Sequence, residues 1–217
     1  MKIDKNSHGT LALVYGISLA VIVGGLILRF PTWLWLLLLI LSLVFSVWQT
    51  FFFRVPTRHK NGDGRIVTSV ADGKVVILGR AFEKEYLKRD CLQISVYMNF
   101  FDVHANFWPV SGEIIYYKYH PGKNVLAFRP KASEKNEHSS TCIRTADGKE
   151  VFFKQLAGTF ARRIVCYSKV GDTVVAGEQC GIIKFGSRID LFLPLEAKLE
   201  VELEDLTRAC ETVIARL

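Results

Sequence analysis

Few residues of this chain combine reactive side chains with a suggestive setting. Ser187 lies in the run Ile183-Lys184-Phe185-Gly186-Ser187-Arg188-Ile189-Asp190-Leu191-Phe192-Leu193-Pro194. A serine hydroxyl is a poor nucleophile at its free pKa and needs a base within hydrogen-bond reach. His104, in Phe101-Asp102-Val103-His104-Ala105-Asn106, is the candidate base, because an imidazole titrates near neutrality and can take and return a proton. Arg162-Arg163 offer bidentate grips for phosphate or carboxylate. Adjacent residues on a strand point to opposite faces, so at most one of the two faces a pocket. Arg129 and Lys131 are further cations, better suited to the surface.

Each of these also has an ordinary structural reading. A Gly-Ser pair alone marks a turn, since glycine takes positive φ cheaply and serine bonds locally. Asp72 sits in Ala71-Asp72-Gly73-Lys74, and the same tetrapeptide recurs as Ala146-Asp147-Gly148-Lys149; both are good turn sequences, and pattern alone does not choose between them. A lone histidine is by default a satisfied structural one.

Four segments taken in order carry a more specific signal. They are Val70-Ala71-Asp72-Gly73-Lys74-Val75, Phe101-Asp102-Val103-His104-Ala105-Asn106, Gly158-Thr159-Phe160-Ala161-Arg162-Arg163-Ile164-Val165, and Phe185-Gly186-Ser187 between two strand-like apolar runs. From about Ile66 onward the chain resembles the phosphatidylserine decarboxylases, in their short bacterial and archaeal form. The resemblance implies a proenzyme that cuts itself between Gly186 and Ser187, leaving a larger β chain (1–186) and a small α chain (187–217). In that cleavage the Ser187 hydroxyl attacks the Gly186 carbonyl, the amide becomes an ester, and elimination and hydrolysis convert Ser187 into a pyruvoyl group.

The resemblance further implies that the pyruvoyl ketone forms a Schiff base with the amine of phosphatidylserine and accepts the electrons released with CO2, the electron-sink role that PLP plays elsewhere. The product is phosphatidylethanolamine. It singles out Asp72 over Asp147, makes His104 the general base and acid with Asp72 or Asp102 orienting it, and places Arg163 and Arg162 at the substrate. The covalent pyruvoyl is then the cofactor, and no metal is expected. One position departs from the longer members of the family, which carry a second histidine three residues after the first; here it is Phe107. Both proton-transfer tasks then fall on His104 or on a residue recruited from elsewhere.

The elements that must position these residues divide into two parts. From Thr10 to Leu28, and again from Thr32 to Phe53, there is no charged residue. At roughly 1.5 Å per helical residue, each stretch is long enough to cross an apolar core of about 30 Å. Arg29-Phe30-Pro31-Thr32 allows only a tight turn, so residues 1–55 are expected to form a membrane hairpin with helices at about 10–28 and 32–53. Lys2, Lys5, Arg54, Arg58 and Lys60 flank its ends against Arg29 at its tip, which predicts a domain facing the cytoplasm from the inner membrane. A hairpin dipping into one leaflet is the alternative, since Gly16, Gly24 and Gly25 weaken the first helix. A cleaved signal peptide fits less well, because a second apolar stretch follows at once.

Residues 56–217 are expected to form a mainly β soluble domain. Runs at 75–78, 91–98, 112–117 and 164–167 are rich in β-branched and aromatic residues. Val170–Ile183 resembles the hairpin of lipoyl and biotinyl carrier domains, without the lysine that those domains present. Cys91, Cys142, Cys166, Cys180 and Cys210 have no regular spacing and read as packing residues, and the five histidines form no H-x-x-x-H pair. The net charge of +7 is interspersed with acidic residues, which argues against nucleic acid and for an anionic lipid surface, whose headgroups juxtamembrane Arg54, Arg58 and Lys60 are expected to face. The α and β chains are expected to stay together, and homo-oligomerisation is left open. Two other functions compete: an uncleaved, membrane-tethered lipoyl-like adaptor, and pyruvoyl chemistry on a soluble amine, which the hairpin disfavours.

Overall fold

The computed structural model describes residues 2–58, 64–122, 136–158, 163–184 and 187–217, and the chain divides into two units, Met1–Pro56 and Thr57–Leu217. In the first unit, β1 (Lys2–Ile3) pairs antiparallel with β2 (Arg54–Val55), and between them run α1 (His8–Ile27) and α2 (Thr32–Phe52). The Asp4 carboxylate accepts the Ser7 hydroxyl at 2.8 Å and so steadies the entry to α1. Pro31 precedes α2 with φ −50°, the value its ring imposes, where its missing N–H costs nothing. The two helices are each long and apolar enough to cross a membrane. Three bonds lace them together: Tyr15 to Thr50 at 2.6 Å, Ser18 to Ser46 at 3.1 Å, and Trp35 Nε1 to the Ile22 carbonyl at 3.1 Å. Gly25, read from sequence as a weak point, is a contact point: a Cβ there would lie 2.8 Å from Trp35 Cδ1.

The second unit is all β among its described residues. Its strands are β3 (Ile66–Thr68), β4 (Gly73–Glu83), β5 (Arg89–Met98), β6 (Ala105–Phe107), β7 (Gly112–His120), β8 (His138–Arg144) and β9 (Glu150–Ala157). There follow β10 (Arg163–Cys166), β11 (Thr173–Val174), β12 (Gln179–Lys184), β13 (Ser187–Leu193), β14 (Lys198–Leu199), β15 (Leu206–Thr207) and β16 (Val213–Arg216). An eight-stranded sheet has the order β11-β7-β8-β9-β13-β5-β4-β15, and two three-stranded sheets have the orders β10-β12-β6 and β14-β16-β3. Every described pairing is antiparallel. In the stretch 170–183, β11 docks on β7, whereas β12 lies between β10 and β6.

Strand alternation gives the large sheet two different faces. Ser187, Ile189 and Leu191 stand opposite Met98, Val96 and Ile94 on one side and Ala157, Gln155 and Phe153 on the other. The apolar members of this face join Ile164 and Ile183 of the small sheet in the main core, with Trp108 edge-on to Phe153 at 6.0 Å. The opposite face carries Arg188, Asp190 and Phe192 in line with Lys154 and Phe152. Cys91, Cys142, Phe152 and Phe192 form a second apolar cluster there, packed against Tyr86 and Tyr116. Cys91, Cys142, Cys180 and Cys210 are buried thiols, as the lack of regular spacing suggests.

Charges on this second face are paired rather than solvated. Arg188 Nε and Asp190 Oδ1 meet at 2.7 Å with both side chains fully buried. Lys154 Nζ lies 2.8 Å from Glu85 and 3.4 Å from Glu83. Burial alone would raise the Glu85 pKa, but hydrogen bonds from Lys154, His120 and Ser140 and the lysine's charge bring it down to about 2. The sign follows from linkage: a carboxyl with a depressed folded pKa stabilises the fold above its ordinary value of 4.5, and that contribution is lost as pH falls toward about 2. Wild type should therefore lose more stability than Glu85→Gln across this window, read as the shift in denaturation midpoint; equal losses would refute the assignment.

Candidate active site

Ser187 opens β13, so its position is set by strand pairing on both sides. Its backbone stands opposite Met98 and Ala157, its side chain is fully buried, and its hydroxyl points to Met98 Sδ at 3.5 Å. The Asn106 amide nitrogen lies 3.7 Å from the same sulfur. Asn106 is held in turn: Gln155 Nε2 donates to its Oδ1 at 2.8 Å, and Ser139 donates to Gln155 Oε1 at 2.9 Å. Residues 136–137 clasp the strand end beside Ser187, with Asn136 Nδ2 donating to the Ala157 carbonyl at 2.7 Å and the Ala157 N–H donating to the Glu137 carbonyl.

His104 is fully buried just before β6, and β6 pairs with β12, the strand that runs toward Ser187. The Ile183 N–H donates to the His104 carbonyl at 3.2 Å. His104 Nδ1 lies 3.0 Å from the Asp102 carbonyl oxygen. A carbonyl only accepts, so Nδ1 carries a hydrogen, and when the ring is neutral its lone pair lies at Nε2, the form required of a base. Asp102 thus meets the imidazole through its main chain, while its carboxylate accepts the Asn99 N–H at 2.7 Å and closes a tight turn.

Asp72 is set in a different web. Arg58 grips it with two nitrogens, Nη2 lying 2.6 Å from Oδ2, and the Ala209 N–H donates to Oδ1 at 2.9 Å. Burial would lower the Arg58 pKa, yet the hydrogen bond and charge of Asp72 leave it raised. This corrects one expectation: Arg58, read from sequence as facing lipid headgroups, turns inward with only 5% of its side chain exposed. The reason is the neighbouring carboxylate, a stronger partner than a hydrated surface. Gly73, the next residue, has φ +147°, and a Cβ there would collide with the Tyr97 carbonyl, so only glycine fits. The first sequence segment meets the residue that follows the second where the Phe107 N–H donates to the Val70 carbonyl at 2.9 Å.

Arg163 is exposed at the start of β10, directly opposite Lys184. Arg162, Arg129, Lys131 and Gly186 lie outside the described residues. Sequence reading missed Met98, Gln155 and Lys184, which carry no motif of their own. Asn106 was within reach, since it closes the histidine segment. Phe107, at the position where longer relatives have a second histidine, is a buried apolar residue.

The profile described as phosphatidylserine decarboxylase matches residues 45–215. This chain belongs to the phosphatidylserine decarboxylase family. The phosphatidylserine decarboxylase proenzyme of Amoebophilus asiaticus is 47% identical over 176 residues, covering 81% of this chain and 78% of that protein. The proenzyme of the same name from Cytophaga hutchinsonii is 42% identical over 82% of this chain and 80% of its own length. That of Porphyromonas gingivalis is 37% identical over 100% of this chain and 99% of its own length. The match to the last of these includes the apolar N-terminal unit, and membership of the family makes the chain a decarboxylase.

The Arg58–Asp72 pair ties the start of the decarboxylase domain to its C-terminal loop. Removing one partner of a largely buried ion pair strands the other. Arg58→Met should lower stability by about 3 kcal/mol, the low end of that class because Ala209 still bonds Asp72. A denaturant titration checks it; an unchanged midpoint would show the pair to be passive.

Proposed function

We propose that the chain is a self-processing phosphatidylserine decarboxylase whose reactive group is made from Ser187. One observation carries the reading: His104, its tautomer set by the Asp102 carbonyl, is bonded through its own carbonyl to Ile183 on the strand leading to Ser187. In the proposed cleavage His104 Nε2 accepts the Ser187 proton as Oγ attacks the Gly186 carbonyl carbon. The amide bond breaks, the nitrogen takes a proton, and an ester links the two residues. Loss of the Cα proton then expels the Gly186 carboxylate, and water enters as ammonia leaves to give a pyruvoyl at position 187.

The surroundings suit such a group. Ser187 is fully buried between Met98 and Ala157, where a carbonyl is sheltered from bulk water, and Asn106 brings an amide to the same sulfur. Once formed, the pyruvoyl supplies an electron sink for the pair released with CO2. The rest falls to this chain's own side chains. His104 returns a proton to the carbon that lost the carboxylate. With Phe107 apolar, no second histidine shares the work at that position.

Arg163, with Arg162 beside it in sequence, is proposed to hold the serine headgroup. Lys184 opposite Arg163 adds a second cation for its phosphate and carboxylate. A loose grip on the carboxylate serves catalysis better than a tight one, because ground-state stabilisation of that charge opposes its loss. The two apolar helices would hold the enzyme in the inner membrane where its substrate resides, with the domain on the cytoplasmic side by the distribution of Lys2, Lys5 and Arg54 against Arg29. The α chain stays bound after the cut, because β13 remains paired along its length to β5 and β9.

Intact-mass analysis of the purified protein, with and without a carbonyl-reactive hydrazine, tests this reading. Wild type should give two fragments meeting at Gly186/Ser187, the smaller one hydrazine-reactive, and Ser187→Ala should give one unreactive chain. A single unreactive wild-type chain would favour the uncleaved adaptor. His104→Ala should accumulate the uncut precursor, with cleavage slowed by about 100-fold or more, the typical worth of a general base; normal cleavage would move the base elsewhere.

A further inference from the structure

The fold brings together three donors that no sequence spacing links. His120 ends β7 and His138 begins β8, and the two are directly opposed across the ladder. Their rings stack at 4.3 Å with 14° between planes. Glu85 reaches them from the connection between β4 and β5, with Oε1 2.6 Å from His120 Nε2. One ligand atom from each of the three residues lies within 4.8 Å of the others.

We propose that Glu85, His120 and His138 form a second site, on the sheet face opposite Ser187, that binds one divalent cation of the zinc class. The donor chemistry selects the ion. Two imidazoles and one carboxylate suit zinc, cobalt, nickel or copper, whereas magnesium and calcium prefer all-oxygen shells. Three protein ligands leave a coordination position for water.

The neighbours prepare the ligands. His138 Nδ1 lies 2.7 Å from the Asn136 carbonyl, so it carries the hydrogen and Nε2 presents the lone pair. Tyr116 donates to Glu85 Oε1 at 3.1 Å and Ser140 to Oε2 at 2.9 Å, which fixes the carboxylate plane.

Lys154 is the competing cation, and the geometry gives it other partners. It bonds Glu85 through Oε2, the oxygen away from His120, and also sits 3.4 Å from Glu83. Two carboxylates against one ammonium leave the cluster net negative, so a divalent ion enters an attractive field. Metal bonds of about 2.0–2.2 Å require the three donors to close in by roughly an ångström, within the reach of side-chain motion. The bound ion would staple β7, β8 and the β4–β5 connection without touching the Ser187 site.

The test uses the full chain in detergent, stripped by a chelator and titrated with Co2+ by visible absorbance and with Zn2+ by equilibrium dialysis. One equivalent should bind, with ligand-field bands of a histidine–carboxylate site, and His138→Ala and Glu85→Gln should each weaken it tenfold or more. A wild-type measurement guards against misfolded variants: Zn2+ should shield His120 and His138 from diethyl pyrocarbonate, mapped by peptide mass spectrometry, while exposed His8 still reacts. Absence of binding, binding equal in the variants, or unprotected His120 and His138 overturns the proposal. Processing at Ser187 has no bearing on any of these readouts.

Discussion

The structure depends on the confinement of β13. It lies inside the large sheet, bonded along its length to β5 on one side and β9 on the other, and its first residue is Ser187. An interior antiparallel strand cannot slip by one residue without turning its apolar side chains out of the core. Ile189, Leu191 and Leu193 therefore fix the register, and the register fixes where the serine stands. If Ser187 is processed as proposed, this anchorage keeps it in place after the cut. The pairs from Arg188 to Phe192 all lie on the C-terminal side of the bond proposed to break.

The same register loads the other face with Arg188 and Asp190. A fully buried ion pair is seldom a net gain in stability, because desolvating both charges offsets their attraction. Its effect here is geometric: the residue after Ser187 is tied to the residue two further on, which stiffens the strand where it begins. Beyond that pair, Lys154 links to Glu83 and Glu85, and Glu85 to His120, so polar contacts continue outward to the rim of the sheet. Apolar packing surrounds Ser187 on one face, and charge pairing organises the other.

The N-terminal unit follows a simpler constraint. Helices that expose leucine, isoleucine and tryptophan around most of their surface are suited to lipid, where backbone groups must be satisfied internally. What brings the two together is small and specific: a glycine facing a tryptophan ring and hydroxyls paired across the interface. Gly25 of α1 is an interface residue first and a helix-weakening residue second, whereas Gly9, Gly16 and Gly24 would have no neighbour within 4 Å of an added Cβ.

Much of this was legible in sequence because it is local. Uncharged runs of helical length, a proline between them, β-branched stretches and the four ordered segments are properties of neighbouring residues, and they gave the two-part organisation and the family. The helices begin and end within about two residues of expectation, a margin set by end fraying. What depends on pairing distant strands could not be read. That Arg58 turns inward to Asp72, that Met98 and Gln155 line the serine's surroundings, and that Glu85, His120 and His138 converge all depend on how distant parts of the chain are brought together. Register is settled by the packing of the whole sheet, so residues dozens of positions apart acquire a common chemistry only when the chain folds.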